Sequence, residues 1–250
     1  MRTLAHITLL LLLALCCSMC TREASHPPLP EALAALVSTA AVDYACVAVP
    51  QWHDAAYHLF SPAEAAADTG LIFYAGSGID VRSYAPSAQA IAAAGFVVAL
   101  VSMPNQTALR APDRAAVVID ACPDIATWAI GGHSMGGIAA CDFASQNTDL
   151  IDAVVLWASK PTAANRLDST DLSALSVSAT NDGIYPPEII DATIPHLPTD
   201  TVWVVIDGGN HYQFGWYADD HQPIDGEATI SRADQLAQAQ TATCAFLNGL

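Results

Sequence analysis

The chain has 250 residues, 53% of them hydrophobic, enough to bury the core of one α/β domain and too many for a disordered chain. Its formal net charge is −17, with 25 acidic residues against 8 basic ones and Lys160 as the single lysine. Such a surface repels phosphate backbones and anionic bilayers, so no nucleic-acid partner is expected and membrane contact would need a lipid anchor.

Residues 1–20 read as an export signal. Arg2 gives a positive start, and the apolar run from Ile7 to Leu15 is too short to span a bilayer. Cys16, Cys17 and Cys20 close the run and offer sites for lipid attachment, but Leu15 and Met19 fit poorly as the residues before a lipid-bearing cysteine. The expectation is therefore an exported protein, free in the periplasm or medium as the first reading and lipid-anchored at the cell surface as the second. Residues 21–41 read as a Pro/Ala-rich tether, Ser25 to Pro30, running into a short helix. Residues 42–250 read as one domain.

Val42 to Val49 and Ala56 to Phe60 are expected as two strands joined by a hairpin-like connection through Pro50 and His53-Asp54. Leu71 to Tyr74 is a short apolar strand, Pro86 to Ala94 a helix stopped by Gly95, and Phe96 to Val101 a strand of the buried parallel type. Asp113 to Ala121 reads as a helix, Ile125 to Ile130 as a strand and Met135 to Gln146 as an Ala-rich helix. Strands Ala153 to Ala158, Ala174 to Thr180 and Val202 to Ile206 follow, with a helix over Pro186 to Ile194 and a closing helix over Ser231 to Leu247. This alternation predicts a mostly parallel sheet with helices on both faces. The stretch from Lys160 to Leu172 has room for one short helix at most, so little or no lid is expected. Beyond the leader, Cys46, Cys122, Cys141 and Cys244 show no C-x-x-C and no zinc spacing. Export would let them pair in three ways, and buried free thiols fit their apolar surroundings equally. With no metal cluster and no phosphate-binding glycine loop, neither metal nor cofactor is expected.

The chemistry centres on Gly131-Gly132-His133-Ser134-Met135-Gly136-Gly137, a G-x-S-x-G pattern between an apolar strand and a helix. A serine at such a turn has strained backbone angles, and small neighbours let the turn close. The geometry pushes Ser134 out of the sheet as a nucleophile. Serine needs a base to take its proton and an acid to orient that base. His211, in Gly208-Gly209-Asn210-His211 after the strand ending at Ile206, is the candidate base. Asp182, in Asn181-Asp182-Gly183 after the strand ending near Thr180, is the candidate acid. Asp168 and Asp207 are rival acids, His133 reads as packing under the turn, and His196 and His221 read as surface residues. An oxyanion hole needs two backbone N–H groups, expected from Met135 and from the loop after Tyr74, where Gly76 allows close approach and Ser77 donates. Trp157, Tyr185, Tyr212 and Phe214, with Trp216 and Tyr217, could form an apolar substrate pocket.

These pieces, together with Phe73-Tyr74-Ala75-Gly76 and His211-Tyr212-Gln213-Phe214-Gly215, resemble the α/β-hydrolase superfamily. The resemblance runs from about Val42 to Leu247 and lies nearest the compact, lidless bacterial branch of dienelactone hydrolases and small esterases. It implies the α/β-hydrolase fold, with Ser134 as nucleophile, His211 as base and Asp182 as orienting acid. Relatives often carry Pro-Gly-Gly where this chain has Ala75-Gly76-Ser77, which bears on the second oxyanion donor. The expected activity is hydrolysis of small or medium acyl esters through an acyl-enzyme. The alternatives are a peptidase or acyltransferase on the same triad, or a catalytically silent binding protein on the same fold. The expected partner is a small-molecule ester; composition does not fix the oligomeric state.

Overall fold

The computed structural model describes residues 25–52, 55–64, 66–218 and 224–250. The leader, His53-Asp54 and His221 lie outside them. One eight-stranded sheet organises the chain: β1 (Val42–Ala48), β2 (Ala56–Pro62), β3 (Thr69–Tyr74), β4 (Val97–Val101), β5 (Thr127–His133), β6 (Ala153–Trp157), β7 (Ser173–Ala179) and β8 (Val202–Ile206). Helices fall between them: α1 (Pro30–Ala34) before β1, α2 (Ala85–Ala93), α3 (Arg114–Ala121), α4 (Met135–Gln146), α5 (Pro187–Asp191) and α6 (Arg232–Leu247). The spatial order is β1-β2-β4-β3-β5-β6-β7-β8, with β2 antiparallel to both β1 and β4 and all later pairs parallel. The short β1–β2 connection permits only antiparallel pairing, whereas the parallel strands need helical crossovers. This is the α/β-hydrolase arrangement expected from the sequence.

Alternation along each strand divides the core. Leu71 and Phe73 of β3 face α2 and α6, where they join Ile91, Leu236 and Leu247. Ile72 and Tyr74 face α3 and α4, where they join Val118 and Phe143. Strands covered on both faces need no polar side, and all five residues of β4 are buried. The chain leaves β3 toward β4 and returns on the other side to β5, so the loops after β3 and β5 diverge. Such a switch point, at the carboxyl ends of the strands, is where open α/β sheets place their ligands.

Three stretches differ from their sequence reading. The strand before the serine begins at Thr127 and runs through His133, because Gly131 and Gly132 continue the ladder opposite Phe73 and Tyr74 where the apolar signal has already stopped. The expected single helix from Pro186 to Ile194 breaks after Asp191 and resumes as one turn at Ile194–His196; Pro195 disfavours helix at the residue before it. The proline-rich stretch read as a tether is docked: His26 bridges Ile79, Pro28 bridges Tyr217, and Leu29 N–H donates to Trp216 at 2.9 Å. Prolines that cannot join a central ladder serve well in such isolated bridges. No disulfide links Cys46, Cys122, Cys141 and Cys244 to one another. No helix among the described residues is long and apolar enough to cross a membrane.

His58 on β2 is 1% exposed, and its Nδ1 lies 2.9 Å from the Tyr44 hydroxyl. Burial first, and then the Arg82 charge, lower its pKa to about 4, with Asp80 opposing. The unfolded imidazole binds a proton near its ordinary value of about 6.5 while the folded one does not. Its contribution is therefore complete above that value and is lost as pH falls toward 4, a loss on the order of 3 kcal/mol across the window. Thermal unfolding should show the melting temperature dropping between pH 7 and 5, with a shallower drop in His58→Gln. An unchanged slope in that variant would count against the assignment.

Candidate active site

Ser134 joins β5 to α4 with φ 54° and ψ −125°. A non-glycine residue held there stores roughly 1–3 kcal/mol, and only surrounding bonds keep it in place. Its N–H extends the sheet to Trp157 O at 3.0 Å, while its carbonyl accepts from Gly137 N–H at 3.1 Å and the Ser159 hydroxyl at 2.5 Å. The flanking glycines are required by contact rather than by their own angles. A Cβ on Gly132 would lie 2.5 Å from Gly136 C and 2.7 Å from both Gly137 N and Tyr74 O, all backbone atoms. Gly132→Ala should therefore destabilise the fold by about 3 kcal/mol. Chemical denaturation checks this, and a loss below about 1 kcal/mol would mean that the turn yields more easily than its packing implies.

Asp182 and His211 come together on neighbouring loops, after β7 and β8. His211 Nδ1 lies 2.8 Å from Asp182 Oδ2, with both side chains almost fully enclosed. The other carboxylate oxygen, Oδ1, accepts Ile184 N–H at 2.8 Å and Tyr185 N–H at 2.6 Å, which fixes the carboxylate plane toward the ring. The loops are tied at their roots, where Thr180 N–H donates to Ile206 O at 3.1 Å and Asn181 N–H to Gly209 O at 2.9 Å. Gln235 of α6, fully buried, brackets Asn210 by accepting its N–H at 3.0 Å and donating to its carbonyl at 2.8 Å. Of the rival acids, Asp168 pairs with Arg166 at the surface and Asp207 accepts from Thr180 Oγ1 at 3.2 Å. Neither has a hydrogen bond to the His211 ring.

Sequence reasoning passed over three contributors. Asp225 accepts N–H groups from both loops: Gly183 at 2.9 Å and His211 at 3.3 Å on Oδ1, and Tyr212 at 2.9 Å on Oδ2. Its Asp-Gly pair looks in sequence like any turn, and nothing in the spacing marks such a role. Ser159, through Ser134 O, is equally silent in sequence. The third is Tyr84, fully enclosed, whose hydroxyl lies 2.9 Å from His133 Nδ1 and accepts Gly76 N–H at 3.3 Å. His133 packs against His211 with ring centroids 4.6 Å apart. Burial first, and then His211, hold His133 well below the ordinary imidazole range, so it stays uncharged beneath the turn.

Gly76, expected to shape the loop rather than to donate, has its N–H on the Tyr84 hydroxyl. The N–H groups of Met135 and Ser77 have no acceptor among the described residues. The expected aromatic pocket divides. Trp157 is 1% exposed, with its indole N–H on Thr243 Oγ1 at 3.1 Å, and Phe214 is fully buried against His133 and Trp157. Both belong to the core, because the sheet edge needs apolar cover beneath the site. Tyr185 and Tyr212 are half-buried and approach the His211 ring edge-on at 5.6 and 6.0 Å between centroids. No cluster of metal-ligating residues occurs among the described residues. The stretch from 160 to 172 contains turns and no helix.

The family model of the alpha/beta hydrolase family matches residues 70–237, more than half of the chain. Among curated proteins no sequence matches it. Several solved structures share the fold. A dienelactone hydrolase from Anabaena variabilis superposes with TM-score 0.61 at 16% identity, covering 83% of this chain and 97% of that one. A CIB-like hydrolase predicted in Thermoplasma acidophilum gives 0.61 at 13%, covering 84% and 99%. The Thermogutta terrifontis esterase Est2 gives 0.58 at 13%, covering 82% and 90%. At such identities the likeness speaks for the fold alone.

Proposed function

The chain belongs to the alpha/beta hydrolase family, and from that membership we propose that it is a serine hydrolase cleaving small or medium acyl esters through an acyl-enzyme. The observation that carries the reading is the buried 2.8 Å contact between His211 Nδ1 and Asp182 on loops at the sheet edge where the strained Ser134 turn emerges. With Nδ1–H donated to the carboxylate, the imidazole offers its Nε2 lone pair as a base. Ser134 Oγ bonds to the ester carbonyl carbon while His211 takes the hydroxyl proton. The tetrahedral oxyanion is met by the N–H groups of Met135 and Ser77. Collapse breaks the bond to the alkoxide, which leaves as alcohol with the proton from His211. Water then attacks the acyl carbon with the same histidine as base, releasing the acid and restoring Ser134.

Esters are taken as the first substrate class to test, since an esterase and a dienelactone hydrolase share this fold. Tyr185 and Tyr212, flanking His211, supply apolar contact for the acyl or alcohol group. Export completes the proposal, resting on the Arg2-led apolar leader. The test is stopped-flow hydrolysis of p-nitrophenyl acetate, butyrate and decanoate beside p-nitroanilides of the same acyl groups. The expected result is a burst of one equivalent of nitrophenol per active site on the shorter esters, with slower anilide turnover. Anilide cleavage outpacing that of the ester would make it a peptidase, and transfer to an added alcohol outpacing hydrolysis would make it an acyltransferase.

A further inference from the structure

Asp225 lies later in the same β8–α6 connection that carries His211, yet its carboxylate is shared between the His211 turn and the Asp182 loop. Oδ1 accepts Gly183 N–H from the acid loop and His211 N–H from the base loop, and Oδ2 accepts Tyr212 N–H. Oδ1 also takes Gly226 N–H at 2.9 Å, which locks the rotamer of the side chain itself. Backbone packing fits the same purpose. A Cβ on Gly183 would lie 2.5 Å from Ile224 O and 2.8 Å from Gly226 N, so the 224–226 backbone rests directly on the acid loop. Asn210 Nδ2 donates to Gly226 O at 2.8 Å and Asn181 Nδ2 to Glu227 O at 2.9 Å, fastening the segment to both loops from outside.

A carboxylate receiving several N–H groups makes charge-assisted bonds about twice as strong as neutral ones. The consequence is specific: Gly183 adjoins Asp182, and the other two donors are the backbone of His211 and its neighbour. We propose that Asp225 is a positioning residue that sets the spacing between Asp182 and the His211 ring by holding both loops on one carboxylate. This rests on the reading of His211 and Asp182 as base and orienting acid. Without Asp225, three N–H groups lose a common acceptor, and the loops stay tied at their roots but lose the shared hold beside Asp182 and His211. A misplacement of about 1 Å in such a pair costs on the order of 10²-fold in rate.

The test uses the full chain and two readouts. One is the low-field proton resonance of His211 Nδ1–H, identified by its absence in His211→Gln. The other is the rate of fluorophosphonate labelling. In Asp225→Ala the resonance should be lost or moved and labelling should slow on the order of 10²-fold. Asp225→Asn keeps one oxygen for the shared donors and should fall between that variant and the parent chain on both readouts, which also covers the case in which the alanine variant fails to fold. An unmoved resonance in either variant overturns the proposal, even if labelling slows, since the effect would not then pass through His211. A parent chain that fails to label while its resonance still depends on Asp225 overturns the hydrolase reading and supports the positioning role. A parent chain that labels, with both variants labelling at an equal rate, overturns the positioning role alone.

Discussion

Ser134→Ala should lower kcat by about 10⁴-fold or more on any ester the chain hydrolyses, with KM nearly unchanged. In the proposed mechanism the hydroxyl removed is the atom that forms the covalent bond, while the N–H groups proposed to meet developing charge and the side chains proposed to contact substrate are left in place. The small residual rate expected comes from those remaining groups. A loss below tenfold would sink the nucleophile assignment. The same position tests the strain. Alanine inherits the positive φ of 54° and relieves nothing, whereas glycine adopts it freely. Ser134→Gly should thus be as inactive as Ser134→Ala and more stable by about 1 kcal/mol, after allowing for the greater freedom of unfolded glycine. Equal melting temperatures for the two variants would mean that the turn stores no strain.

The second large effect is expected from Asp182→Asn, a change of one atom. Asp182 Oδ1 sits between the N–H groups of Ile184 and Tyr185, so that position demands an acceptor. An asparagine must place its carbonyl oxygen there, which turns its NH2 group toward His211 Nδ1. The ring then accepts on Nδ1 and carries its proton on Nε2, where it cannot take one from serine. Such a tautomer reversal is worth about 10⁴-fold in kcat. Because the packing is unchanged, unfolding should shift little. Activity within tenfold of the parent chain would show that another group orients His211, and the roles of both residues would need redrawing.

The architecture was legible because its signals are local. The five-residue run of β4 is fully buried and reads as a covered parallel strand, and Met135–Gln146 follows the glycine pattern as a helix with the expected bounds. The G-x-S-x-G turn and the positions of Asp182 and His211 after successive strands follow from chain order, which parallel topology converts into a shared sheet edge. What sequence could not supply is which way a side chain or N–H points once the strands are placed. Trp157 and Phe214 stand beside the site in sequence but turn into the core, because strand alternation and the cover needed beneath the turn outweigh proximity. The bond of Gly76 N–H to the Tyr84 hydroxyl, from eight residues downstream, likewise left no mark in the sequence. Asp225 was invisible for the same reason: its partners are backbone groups, on the loop after β7 and earlier in its own β8–α6 connection, and backbone groups leave no mark in composition or spacing.

The most direct test of the central claim is fluorophosphonate labelling of the purified protein, with mass spectrometry to locate the adduct. The reagent requires an activated serine and an oxyanion site, and it assumes no substrate. The account predicts one adduct, on Ser134, lost in His211→Ala. Folded protein that takes no adduct, or carries it on another serine, would contradict the account and bring forward a binding role for this hydrolase fold.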